Sequence, residues 1–347
     1  MRLFSTEQVS KYHPDKYADQ ISDAILEACL AQDKKSRVAC ETLVKGNTIV
    51  LAGEITTKAD VDYRDVALSV AQRLKYPVDE IHEFIVTQSP EISGGVDGGE
   101  EQGAGDQGMM YGYACDETES MLPFGFDLAN KIIARIEDDV ENNPHTKLQG
   151  DAKTQVTVDL DEKPDMESVK KVLVSVCHKP EYSLDEVAKD VIGFLQDCGI
   201  NTNVVDVIIN PAGAWTIGGP TADCGLTGRK IVCDQYGGYC PVGGGAFSGK
   251  DPSKVDRSGA YMARKIACDM VKKHHLKWAE VQVAYAIGMA QPMSVTVKCN
   301  NAPMNDALSR EVAETYDLTP AGIIKQLNLL EAPYAKLAGG CHYRELA

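Results

Sequence analysis

No stretch of this 347-residue chain approaches the run of about 18 apolar residues that a membrane helix needs. Met1-Arg2-Leu3-Phe4-Ser5 leads into polar sequence instead of the apolar core of a signal peptide, so the expected location is the cytoplasm, with no membrane partner. The eleven cysteines are odd in number and include no C-x-x-C pair, which leaves a zinc site without support and favours reduced structural thiols. Positive charge is also in deficit. Against 51 Asp and Glu stand 35 Lys and Arg, and the net charge of -16 repels nucleic acid.

What is present is ordinary globular composition, 44% hydrophobic and 25% charged, at a length that implies two or three domains. One segment reverses the charge: between Arg229 and Arg257, Arg229, Lys230, Lys250, Lys254 and Arg257 outnumber Asp234, Asp251 and Asp256. A concentrated anion is its natural partner. Glycine is concentrated too, with 8 in the 19 residues Gly94 to Gly112 and 11 in the 37 residues Gly213 to Gly249. Glycine clustered in this way lets backbone N–H groups approach phosphate, although a plain surface loop has the same composition.

Hydrophobic periodicity divides the chain into three similar units. Helical spacing over Asp15 to Gln32 (Ile21, Ala24, Ile25, Ala28) is followed by alternation in Arg37 to Lys45 and Asn47 to Thr57, then by helical spacing over Val61 to Leu74. The second unit has a helix over Asp127 to Asp138, strands Lys153 to Leu160 and Ser168 to Cys177, and a helix over Leu184 to Asp197. The third has a helix over Ser258 to His274, strands Glu280 to Ile287 and Ser294 to Cys299, and a helix over Asp306 to Thr315. The expected fold is α+β, with three domains related by pseudo-threefold symmetry, each a small, mainly antiparallel sheet with helices on one face. Their expected bounds are 1–97, 103–217 and 218–347.

Gly244-Gly245-Ala246-Phe247-Ser248-Gly249-Lys250-Asp251 matches G-x-x-x-x-G-K but carries Asp where a P-loop requires Ser or Thr, and no buried strand precedes it. What remains is glycine-rich backbone followed by Lys250, Lys254 and Asp256, two cations for phosphate oxygens and a carboxylate suited to Mg²⁺. Near the N-terminus, His13-Pro14-Asp15-Lys16 sets an imidazole, a carboxylate and an ammonium just ahead of a helix, a combination that suits phosphate transfer or a simple N-cap. Glu41 and Glu54 fall in the first expected hairpin, and Asp151 and Lys153 at the start of the next expected strand; each taken singly reads as an ordinary strand-end charge.

The stretches HPDK, ADQISDAIL, RVACETLVK, GEITT, QSPEI, EQGAGDQG, DAKTQVT, GGPTADCGLTGRKIV and GGGAFSGKDPSKVDRS, in this order across nearly the whole chain, resemble S-adenosylmethionine synthetases. The resemblance implies sulfur attack of methionine on C5′ of ATP, followed by cleavage of the tripolyphosphate, with two Mg²⁺ per site and K⁺ as cofactors. It also implies a homodimer or homotetramer with active sites at the dimer interface. By the same resemblance His13 assists triphosphate departure, Asp15 and Asp256 bind Mg²⁺, and Glu41 lies at the K⁺ site. Lys153, Arg229, Lys230, Lys250 and Lys254 match catalytic contacts to ATP and triphosphate; Lys16, Asp151, Trp215, Asp223 and Ala246 match further ATP contacts. Glu54, Gln88, Asp106, Asp223, Lys254 and Ile287 match the methionine site.

The chain departs from the family pattern at Lys11-Tyr12, which is expected to set a bulky ring beside the phosphate site, at Ala214, where a cation is lost, and at Val242. The segment between Leu74 and Gln88 is also short. The acidic, glycine-rich segment Gly94 to Gly105 is expected to gate the site. Two other readings are a chain that retains only tripolyphosphatase activity, and a non-catalytic homologue that serves as an interface subunit.

Overall fold

The computed structural model describes residues 1–87, 103–300 and 304–344. Strand β1 (Leu3–Val9) precedes the first unit, in which α1 (Pro14–Gln32) leads to the hairpin β2 (Arg37–Lys45) and β3 (Thr48–Thr56), then to α2 (Tyr63–Arg73) and β4 (Glu80–Val86). Strand β5 (Gly108–Cys115) precedes the second unit, formed by α3 (Phe124–Asn142), β6 (Leu148–Asp159), β7 (Val169–His178), α4 (Leu184–Asp197) and β8 (Asp206–Ile209). The two-residue strand β9 (Gly225–Leu226) precedes the third, with α5 (Val255–His274), β10 (Trp278–Tyr285), β11 (Ser294–Cys299), α6 (Asp306–Thr315) and α7 (Pro320–Gln326).

Local chemistry explains the helix starts. His13 caps α1 and Pro14 occupies its first turn, where a missing N–H costs nothing; Asp62 caps α2 and Ser183 with Glu186 forms a capping box on α4. Each hairpin then pairs antiparallel, with Glu41 opposite Ala52, Gln155 opposite Leu173 and Val281 opposite Val297. In the first two units the strand after the second helix returns parallel, β4 on β3 and β8 on β7.

The strand ahead of each unit is lent to a different sheet. β1 pairs with β6, β5 with β10, and β9 with β2, so the sheets read β1-β6-β7-β8, β11-β10-β5 and β4-β3-β2-β9. The exchange is cyclic, one strand per unit. None of these lent strands is visible as alternating hydrophobicity. In β1 the inward positions include Thr6 and Gln8, both buried, so the pleat is filled by polar side chains. In β5, Gly112 has no Cβ because one would overlap the backbone of Ala263, where α5 presses on the strand.

Three apolar clusters form the cores. One gathers around α1, β2 and β3, a second between α3, α4, β6 and β7, and a third around α5, β10 and β11. The expected apolar stripe of α1 is present at Ile21 and Ile25, joined by Leu26, Cys29 and Leu30. Its first ten residues are buried on every side, including Asp15, Lys16, Asp19, Gln20, Ser22 and Asp23, because the glycine-rich loops of the third unit close over them. All eleven cysteines are free thiols, and among the described residues no helix is long and apolar enough to cross a membrane.

Candidate active site

His13 is 2% exposed, and its ring Nδ1 accepts the backbone N–H of Asp15 at 3.1 Å. A neutral ring that accepts at Nδ1 carries its proton on Nε2. The ring is neutral: burial, then the charges of Lys230 and Lys153, depress its pKa to about 3, against the opposing pull of Asp15 and Asp223. Asp15 Oδ1 accepts the Leu226 amide at 3.0 Å and lies 3.6 Å from Arg229 Nε, while Oδ2 accepts Lys230 Nζ at 2.5 Å. Burial opposes ionisation of Asp15, but Lys230 and the Leu226 amide outweigh it and hold the carboxyl below the usual range.

Asp151 completes this first group. Its Oδ2 accepts the Gly219 amide at 2.7 Å, and Oδ1 is buried without a hydrogen-bond partner. Burial raises its pKa to about 6, which the Gly219 bond and Lys153 moderate. Lys153 stands on β6 opposite Val9 of β1, and so reaches the group through the lent strand. Imidazole, ammonium, guanidinium and carboxyl groups thus meet at the start of α1, an arrangement that suits a polyanion.

A second group forms where the loop Gly243 to Lys254 crosses β2, with Lys250 bridged to Ala39. Lys250 Nζ donates to Asp256 Oδ2 at 2.5 Å and Lys254 Nζ to Asp251 Oδ2 at 2.6 Å. A Cβ on Gly245 would stand 2.2 Å from the Asp256 carboxyl, so only glycine lets the loop pass there. Glu41, on the outward face of β2, is pushed up by burial, lowered by Lys250 and raised by Glu54, which follows on the same face of β3. Asp106 lies beyond Gly103–Gly105, where Ala104 exchanges backbone bonds of 2.9 Å with Gly288 and Met289, next to Ile287. The two groups touch through their loops, since a Cβ on Gly228 would lie 2.5 Å from that of Ala246. Among the described residues, no ion pair joins one group to the other.

Several expectations change. Lys16, expected at the nucleotide, is fully buried, with its ammonium between Asp234 at 2.5 Å and Asp19 at 3.1 Å. Tyr12 does not pack on His13 or Asp15. Its ring lies over Gly150 and its hydroxyl donates to Glu141, lining a cavity of about 550 Å³ that borders the first group through Asp151 and Gly219. For Trp215 no change is required: it is half-buried, with its indole N–H donating to Ile217 O at 2.8 Å. Asp223 caps its own chain by accepting the Cys224 amide. Gln88, and the part of the expected gate from Gly94 to residue 102, lie outside the described residues. Residue-by-residue reading missed Asp19 and Asp23. Their spacing of four from Asp15, all three on one helix face, was the available signal.

The sequence models of three domains match in order: the N-terminal domain of S-adenosylmethionine synthetase over residues 1–92, its central domain over 101–215 and its C-terminal domain over 217–346. The chain belongs to the S-adenosylmethionine synthetase family. It is 43% identical to the S-adenosylmethionine synthase of Salinibacter ruber, over 98% of this chain and 93% of that one. A solved structure described as an unusual S-adenosylmethionine synthetase from Campylobacter jejuni superimposes with a TM-score of 0.90 at 34% identity, covering 100% of this chain and 97% of the other. As a family member the chain is an ATP:L-methionine S-adenosyltransferase that forms S-adenosylmethionine from ATP and methionine, and metal dependence is typical of the family.

Proposed function

We propose that the group around His13 holds the nucleotide, with Lys153, Arg229 and Lys230 on the triphosphate and Asp151, Asp223, Trp215 and Ala246 around the adenosine. Lys250 and Lys254 take the remaining phosphate charge, while Glu54, Gln88, Asp106, Asp223, Lys254 and Ile287 hold methionine. Its sulfur attacks C5′ and the bond to the triphosphate oxygen breaks. The Nε2–H of neutral His13 donates to the oxygen on which charge develops, an interaction stronger in the transition state than before it. The tripolyphosphate is then hydrolysed to phosphate and diphosphate. The observation that carries this reading is the buried, neutral His13 set among Lys153, Lys230 and Asp15.

Two Mg²⁺ per site fit the residues present. Among the described residues there is no cluster of three or more metal-ligating side chains, but a hard cation of this kind takes one or two carboxylates plus substrate phosphates and water. Asp15 and Asp256 are such carboxylates, each paired with a lysine that a phosphate oxygen would engage instead. When bound, Mg²⁺ neutralises phosphoryl oxygens. K⁺ fits beside Glu41, where Glu54 adds a second carboxylate on the same face.

The division into two groups supports an assembly of two or four chains with each site completed across an interface. The outward face of the first sheet carries Glu41 and Glu54 beside Leu43, Phe84 and Val86, the last two 66% and 60% exposed, and so offers apolar area to a second copy. Cytoplasmic location belongs to the same reading. The test is incubation with ATP, methionine, Mg²⁺ and K⁺. Equal amounts of S-adenosylmethionine, phosphate and diphosphate are expected. Phosphate release without S-adenosylmethionine would overturn the reading.

A further inference from the structure

Asp15, Asp19 and Asp23 stand four residues apart on α1, one above another on a single face. Each accepts a backbone amide from the third unit: Asp15 from Leu226 at 3.0 Å, Asp19 from Gly228 at 2.9 Å, and Asp23 from Gly249 at 2.8 Å. Those amides sit directly beside the charged residues of both groups. Gly228 precedes Arg229 and Lys230, and Gly249 precedes Lys250. Asp23 also takes both terminal nitrogens of Arg257, one at 2.9 Å, so a single carboxylate holds the two ends of the segment that carries Lys250, Lys254 and Asp256. Asp19 and Asp23 are both fully buried, and a carboxylate there is stabilised only by partners such as these.

We propose that Asp19 and Asp23 are positioning residues, which fix the two glycine-rich loops on α1 and thereby set Lys230 beside His13 in one group and Lys250 beside Asp256 in the other. This rests on the assignment of Lys230 to the site. Neither residue touches substrate. Glycine loops have many accessible conformations, and a shift of about 1 Å in a contact can slow a reaction a hundredfold. A row of carboxylates on a rigid helix removes that freedom.

Asp23→Ala would strand Arg257 and is a poor first test, whereas Asp19→Ala leaves Lys16 its 2.5 Å bond to Asp234. With folding checked by circular dichroism, Asp19→Ala is expected to lower kcat about tenfold or more with little change in the KM for methionine. Asp19→Asn keeps an oxygen for the Gly228 amide and should stay within about threefold of the parent, even though it loses the same charge beside Lys16. Lys230→Met and the double variant complete the cycle. If Asp19 acts through Lys230, the double variant is no slower than Lys230→Met alone. Additive losses, or an Asn variant as slow as the Ala variant, would overturn the positioning role. A Lys230→Met enzyme with unchanged turnover would instead show that the assignment of Lys230 is wrong.

Discussion

His13 is held neutral by burial and by two lysines, so its contribution should not titrate in the physiological range. The pH–rate profile of the parent is expected to lack a limb from this imidazole between about pH 5 and 9, its pKa lying near 3. His13→Asn should cut S-adenosylmethionine formation by about 100-fold, the scale of one lost transition-state donor, and hydrolysis of added tripolyphosphate much less. Assaying both activities on one preparation decides it, since equal losses would reassign His13 to a purely capping role. Asp151 behaves oppositely. Its folded pKa of about 6 exceeds the ordinary aspartate value of 3.8, so the folded state holds its proton longer and stability falls as pH rises through this window. Asp151→Asn, which cannot ionise, is therefore expected to be more stable than the parent by about 1 to 3 kcal/mol near pH 8, with the gain vanishing toward pH 4, while losing turnover. Thermal melts across that range test the sign. Trp215→Ala should raise the KM for ATP more than that for methionine, because a half-buried indole face is available for stacking.

At the scale of elements, α1 and α5 are joined through Asp23 and Arg257, both fully buried. Arg257→Met removes one partner and leaves an uncompensated carboxylate, a change expected to cost about 3 to 5 kcal/mol. Urea unfolding would measure it, and a loss below about 1 kcal/mol would mean the pair is balanced by its desolvation. The helices and hairpins themselves were legible, because each carries its own signal: the Ser183 and Glu186 capping box, Pro14 at the start of α1, and the alternation of Arg37 to Lys45. The lent strands were not. β1 buries Thr6 and Gln8, and Gln8 is satisfied by Asn130 and by the Cys233 carbonyl, far away in sequence, so polarity within the strand says nothing about burial.

At the scale of the whole molecule, the separation of the charged residues into two groups has a direct test. If each site takes the His13 group from one chain and the Asp256 group from another, His13→Asn and Asp256→Asn chains, each nearly inactive alone, should regain activity when mixed and exchanged. Random pairing makes half the molecules mixed, each with one intact site, so about a quarter of parental activity is expected. No recovery despite verified exchange would place both groups in a site within one chain.

The sequence by itself determined the three units, their helices and hairpins, and, through motifs such as HPDK and GGGAFSGKDPSKVDRS, the family, since capping, periodicity and motif spacing act between residues close along the chain. Tertiary structure alone decided which residues meet and which do not. Asp15 and Lys230 pair across 215 positions, Lys16 turns to Asp234, and Tyr12 turns to Gly150. The physical reason is burial. A charged or polar side chain removed from water must find its partner wherever the fold brings one, and that partner is set by the cyclic exchange of strands and by the loops closing over α1, neither of which has a local signature.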